Sequence, residues 1–207
     1  MAVIVLSACA QTGSKQASIQ PASSQKPSPN EAVATFAEGC FWHSEIVFQS
    51  LAGVRDAVSG YAGGTDSKPD YEKVSTGETG HAEAVQVYYD PSIVSFETLV
   101  KAFFASQDPT TPNRQGNDVG PQYRSIAFYR TDKEKQVIDA EIKRLTDTKK
   151  FHDRIVTEVK PLTKFYPAEQ YHQEYIAQHP TNPYVQNVCI PEFNEFKSEF
   201  KAIYKMP

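Results

Sequence analysis

Apolar residues recur along this chain with two periods, and one long stretch has neither. From Ala10 to Glu31, 12 of 22 residues are Ser, Gln or Pro and none is aromatic. Such a segment buries too little apolar area to offset its ordering entropy and is expected to be a flexible tether over residues 10–31. All 24 aromatic residues follow it, beginning at Phe36, which sets a folded domain at residues 32–207. Thr35-Phe36-Ala37 reads as a short strand running into Gly39-Cys40-Phe41-Trp42, and a helix is predicted from Trp42 to Leu51. His81 to Tyr89 alternates as a strand, and Phe96, Leu99, Val100, Phe103 and Phe104 mark one helix face. Arg124 to Tyr129 and Ile155 to Val159 read as strands. Between them, Thr131 and Glu134 form a capping box for a helix carrying Ile138, Ile142 and Leu145. Pro167 is expected to open a helix to about Gln178, and Phe193, Phe196, Phe200 and Ile203 stripe a last one. Strands interleaved with helices predict an α/β (α+β) fold, a two-layer sandwich, with functional loops such as Pro109 to Pro121.

Composition narrows the function classes. Of 207 residues, 40% are hydrophobic and 22% charged, ordinary for a core-forming domain. A net charge of −4 offers no basic field for nucleic acid. Three cysteines are too few for a disulfide-built scaffold. Cys9 closes the run Val3-Ile4-Val5-Leu6-Ser7-Ala8-Cys9, an apolar stretch ending in small residues. Leu6-Ser7-Ala8-Cys9 resembles the lipobox of a bacterial lipoprotein signal (residues 1–9), in which the cysteine is acylated. That implies an extracytoplasmic protein held at the membrane through Cys9. The basic leader of such signals is missing, as in a stray apolar N-terminus or a signal whose start lies upstream.

Two residues stand out for chemistry. Cys40 follows a glycine and immediately precedes a predicted helix, whose free N–H groups and positive partial charge favour thiolate over thiol. It is either a nucleophile or a buried structural cysteine. Glu83 shares a strand face with Val85 and Val87; if that face meets the core, its carboxyl is desolvated, stays protonated near neutral pH and becomes a proton donor. His81-Ala82-Glu83 matches half of a zinc deaminase signature, but no C-x-x-C occurs and no metal site is expected.

Together the motifs resemble a peptide methionine sulfoxide reductase of the A type. They run in order from Gly39-Cys40-Phe41-Trp42 through Gly60-Tyr61-Ala62-Gly63-Gly64 and Asp70-Tyr71-Glu72 to Gly80-His81-Ala82-Glu83. Asn113-Arg114-Gln115-Gly116-Asn117-Asp118, Gln122-Tyr123-Arg124-Ser125 and Glu169-Gln170-Tyr171-His172-Gln173 follow. The resemblance implies a ferredoxin-like two-layer sandwich with a mixed sheet, and thiol-dependent reduction of methionine S-sulfoxide, free or in proteins, without a bound cofactor. Cys40 would attack the sulfoxide sulfur and become a sulfenic acid, and Glu83 would protonate its oxygen. Tyr71 and Tyr123 would hydrogen-bond that oxygen, Phe41 and Trp42 would wall the methyl pocket, and Asp118 would join the surrounding polar network. A thiol or thioredoxin-like partner would recycle the enzyme. His43 stands where many relatives have a small residue; it either tunes the thiol or only occupies the first helical turn. Cys189, between Val188 and Ile190, is either the resolving cysteine or a packed, inert one. The rival readings are a tethered binding module of the same fold without turnover, and a Cys–His hydrolase.

Overall fold

The computed structural model describes residues 26–205; Cys9, the signal-like run and most of the tether lie outside the described residues. The elements in chain order are β1 (Ala32–Glu38), α1 (Phe41–Gln49), β2 (Val54–Ala62), α2 (Tyr71–Ser75), β3 (Ala82–Tyr89), α3 (Phe96–Ala105), β4 (Arg114–Gln115) and β5 (Asp118–Val119). They continue with β6 (Ser125–Tyr129), α4 (Asp132–Asp147), β7 (Glu158–Pro161), β8 (Phe165–Pro167), α5 (Tyr175–Gln178) and α6 (Ile190–Glu199). Six strands form one sheet in the order β7-β6-β1-β3-β2-β8. Only β6 and β7 pair parallel, so the sheet is mixed. Both edge strands end in proline, Pro161 and Pro167, where a missing N–H costs no ladder bond. The expected α/β sandwich with a mixed sheet is what forms.

One face of the sheet carries Ala34, Phe36, Val85, Val87 and Ala127 against α1, α3 and α4. Phe36 is its hub, stacked on Phe48 and Phe103 with centroids 5.2 Å apart in each case. The other face is lined by smaller side chains, Ala37, Ala62, Ala82 and Ala84 with Ile126 and Phe128, and is covered by Leu162 and Phe165. The capping box at α4 is split: Thr131 accepts from the Glu134 N–H at 3.2 Å, but the Glu134 carboxylate takes the Arg130 N–H at 2.6 Å.

Three expectations fail. No helix runs from Pro167 to Gln178; strand β8, a 3₁₀ turn at Gln170–His172 and the short α5 replace it. Gln173 causes the break, its amide spending itself on Ser59 N, Ser59 O and Ala168 O, all at 3.0 Å, and Glu174 then turns left-handed at φ 52. The strand expected at Ile155–Val159 begins only at Glu158, because the Val156 N–H is drawn to the Pro109 carbonyl at 2.8 Å. Ile203 lies beyond α6 and is 76% exposed, whereas Phe196 of that stripe is buried.

Candidate active site

The turn between β1 and α1 brings Cys40 to the helix N-cap. Gly39 makes the turn at φ 103, and a Cβ there would stand 2.7 Å from Gln115 Cβ, so only glycine lets the loop bearing β4 and β5 lie across this corner. β3 presents Glu83 on the helix-facing side, as its alternation with Val85 and Val87 predicts, and leaves it 3% exposed. One carboxyl oxygen accepts the Phe41 N–H at 3.0 Å. Burial pushes the Glu83 pKa up to about 8, well beyond what the Phe41 bond pulls down. Glu83 is therefore a protonated acid at neutral pH, beside the helix that carries the thiol.

The Cys40 thiol differs from the expectation. Its pKa is raised, first by its hydrogen bond with the Cys189 thiol, then by desolvation and the negative charge available to Glu83. The N–H of Trp42 acts in the opposite direction and is outweighed. The resting group is a thiol, and the helix N-terminus alone does not decide its state. Cys40 and Cys189 are both free, and Cys189 is fully buried in a π-helical turn, Val185–Cys189, just before α6.

Aromatic residues cluster on Phe41 and Trp42, which follow this thiol in the chain. Trp42 stacks on Tyr175 with centroids 3.7 Å apart, and its indole N–H donates to His172 Nδ1 at 3.2 Å. The His172 ring lies 4.9 Å from Phe41 and 4.5 Å from Tyr71. Tyr71 opens α2, and Glu169 fixes it there by accepting the Tyr71 N–H at 2.9 Å and the Tyr61 hydroxyl at 2.8 Å. Tyr123, in the 3₁₀ turn after β5, has its pKa raised by burial and then by the charges of Glu83, Asp118 and Cys40. Tyr71 is raised for the same reasons, burial first and then Glu83 and Cys40, which puts both phenols in the electrostatic reach of thiol and acid. Neither hydroxyl is engaged by a described residue. Asp118 accepts the Tyr184 hydroxyl at 2.5 Å, and burial followed by Cys40 raises the Tyr184 pKa.

Seven predicted residues, Cys40, Phe41, Trp42, Tyr71, Glu83, Asp118 and Tyr123, thus gather around one corner, and Cys189 joins them. His43 does not face the thiol. It is 4% exposed, with Nε2–H donating to the Ser106 carbonyl at 3.2 Å, and burial lowers its pKa to about 4. No catalytic dyad of the Cys–His kind is formed by this pair. The sequence assigned no role to His172, Tyr175, Tyr184 or Glu169. Glu169 and His172 lay in a motif that carries the resemblance but had no role there, and Tyr175 and Tyr184 meet Trp42 only in the fold. Among the described residues no group of His, Cys, Asp and Glu is arranged to hold a metal ion.

The family profile described as peptide methionine sulfoxide reductase matches residues 32–204. The chain belongs to this family. A relative named peptide methionine sulfoxide reductase MsrA 1, from Rhodopirellula baltica, is 48% identical over 175 residues, covering 84% of this chain and 90% of its own. Among solved structures, methionine sulfoxide reductase A of Corynebacterium diphtheriae matches with a TM-score of 0.67 at 33% identity, over 74% of this chain and 77% of the other. Reduced Mxr1 from Saccharomyces cerevisiae matches with a TM-score of 0.65 at 35% identity, over 76% and 91%. The activity of this chain is accordingly thiol-dependent reduction of methionine sulfoxide, and a binding module without turnover is not supported.

Proposed function

We propose that Cys40 and Glu83 carry out this reduction on methionine S-sulfoxide, free or within proteins. The observation that carries the assignment is the pairing of a free thiol at a helix N-cap with a buried, protonated carboxyl hydrogen-bonded to the next residue. The sulfur of Cys40 attacks the sulfoxide sulfur while Glu83 delivers its proton to the oxygen, and the proton lost by the thiol replaces it on Glu83. The unengaged hydroxyls of Tyr71 and Tyr123 donate to the oxygen as it gains negative charge. Phe41 and Trp42 hold the methyl group, and Asp118, through Tyr184, fixes the polar rim. In the adduct so formed the S–S bond breaks as the hydroxyl passes from the substrate sulfur to the Cys40 sulfur, leaving Cys40 as a sulfenic acid and methionine free, so the substrate sulfur is reduced by two electrons and the cysteine oxidised by two.

Cys189 then resolves the sulfenic acid. Its electron pair forms the S–S bond as the S–O bond of Cys40 breaks, and its proton leaves with the hydroxyl as water. The contact between the two thiols supports this role over that of an inert packed cysteine. An external dithiol of the thioredoxin kind would reduce the resulting disulfide. Cys9, which falls outside the described residues, is proposed as a lipid anchor holding the enzyme outside the cytoplasm, on the strength of Leu6-Ser7-Ala8-Cys9 and the Ser/Gln/Pro-rich tether. A lipid mass on Cys9 in protein purified from cells, absent in Cys9→Ala, is the expected result; an intact, unmodified Met1 would overturn it.

Single turnover of free methionine S-sulfoxide without reductant, followed by intact mass, tests the chemistry. Methionine together with a Cys40–Cys189 disulfide, lost in Cys189→Ser, is expected. No methionine would sink the assignment of Cys40, and methionine with only a sulfenic acid would remove Cys189 from it.

A further inference from the structure

His43 occupies the third position of α1, two residues after Phe41, and is buried. Its ring is fixed from one side. A carbonyl oxygen only accepts, so the 3.2 Å contact with Ser106 O defines Nε2 as the protonated nitrogen. Ser106, the C-cap of α3, is itself held because its hydroxyl donates to Glu38 Oε2 at 3.0 Å, at the end of β1. The opposite nitrogen, Nδ1, is buried without a hydrogen-bond partner and faces the backbone of Cys189. The carboxyl of Glu192, in the first turn of α6, stands 3.8 Å from it. The imidazole is therefore wedged between the end of α3 and the turn that carries Cys189, and it is rooted in the same helical turn as Cys40.

We infer that His43 is a positioning residue for the second half of the reaction, a spacer that holds the Cys189 turn where its sulfur meets Cys40. The inference rests on the reading of Cys189 as the resolving thiol. Disulfide formation needs the incoming sulfur in line with the S–O bond that breaks, and a displacement of a fraction of an ångström costs rate steeply. Cys189 lies in a cluster with Ile176, Val185, Tyr184 and Ile190, packing that fills space without setting direction save where Asp118 holds the Tyr184 hydroxyl. His43 stands between the end of α3 and the Cys189 turn and keeps a polar root on the Ser106 carbonyl.

The experiment follows two clocks in one single-turnover reaction on free methionine S-sulfoxide without reductant. One is methionine released. The other is formation of the Cys40–Cys189 disulfide, read by quenching with a thiol alkylator and a 1,3-diketone that traps sulfenic acid. In His43→Ala the ratio of disulfide rate to methionine rate falls about tenfold and diketone-labelled Cys40 accumulates. In His43→Gln, whose amide N–H reaches the Ser106 carbonyl, the ratio returns to within about threefold of the unaltered protein. An unchanged ratio in His43→Ala would overturn the inference. So would a fall of both rates together, since that means the ring only shapes α1. If the unaltered enzyme makes methionine but never the disulfide, the resolving reading itself has failed and this inference with it.

Discussion

Glu83 is worth more to this protein protonated than charged. Its environment makes the acid form the resting one up to about pH 8, so the proton donor is present at neutral pH and disappears on the alkaline side. Turnover with dithiothreitol as reductant should therefore fall as pH rises through about 8. Glu83→Gln keeps an oxygen for the Phe41 N–H, so the fold should hold. It has no proton to give and should lose about 10²–10⁴-fold in kcat, together with that alkaline limb. A Gln variant retaining the limb would assign it to another group. Cys40 shows the limit of local reasoning at this scale. The helix N-terminus was legible in Gly39-Cys40-Phe41, but the thiol of Cys189 and the carboxyl of Glu83, neither of them near in sequence, outweigh it.

At the scale of elements, β2 organises one wall of the site. It pairs with β3 on one edge and β8 on the other, and Gly60 sits where β8 crosses. A Cβ on Gly60 would lie 2.3 Å from the Tyr166 carbonyl and 2.4 Å from the Phe165 ring. Gly60→Ala should push β8 off the sheet, loosen the Glu169 anchor on Tyr71 and cost about 1–3 kcal/mol of stability. Urea unfolding and the KM for sulfoxide check it, and both should worsen. Neither β2 nor β8 was legible in the sequence. Ala57 to Ala62 is buried on both faces, so it does not alternate, and Pro167 at the end of an edge strand looks the same as a proline opening a helix. β3 was legible because its Glu83, Val85 and Val87 face one side and its Ala and Gln the other. Trp42 stacks on Tyr175 across a break in the chain's regularity, and no local pattern announces such a pair.

Taken whole, the molecule buries carboxyls at the end of β1, on α1 itself and on β3. Burial raises Glu38 to about 8 and Glu45 to about 7, alongside Glu83 at about 8. Folded pKa values above the unfolded ones mean that these groups favour the fold most below about pH 4.5 and give that contribution up as pH climbs through 7 and 8. The midpoint of urea unfolding should decline between about pH 5 and 9. Glu38→Gln should flatten the decline, since the neutral amide has nothing to ionise. A midpoint that holds constant across that range would show that the fold does not keep these acids protonated.

The contact between Cys40 and Cys189 has a consequence for the chain as a length of string. A bond there would close a ring of roughly 150 residues, and a ring of that size removes several kcal/mol of freedom from the unfolded chain, about 4–5 by the loop-closure relation. Each catalytic cycle would then alternate between an open thread and a lassoed one. A protease cut in the exposed turn after α4, at Lys149 or Lys150, should release two fragments from the reduced enzyme under denaturing electrophoresis. From enzyme arrested after one turnover, the same cut should release none.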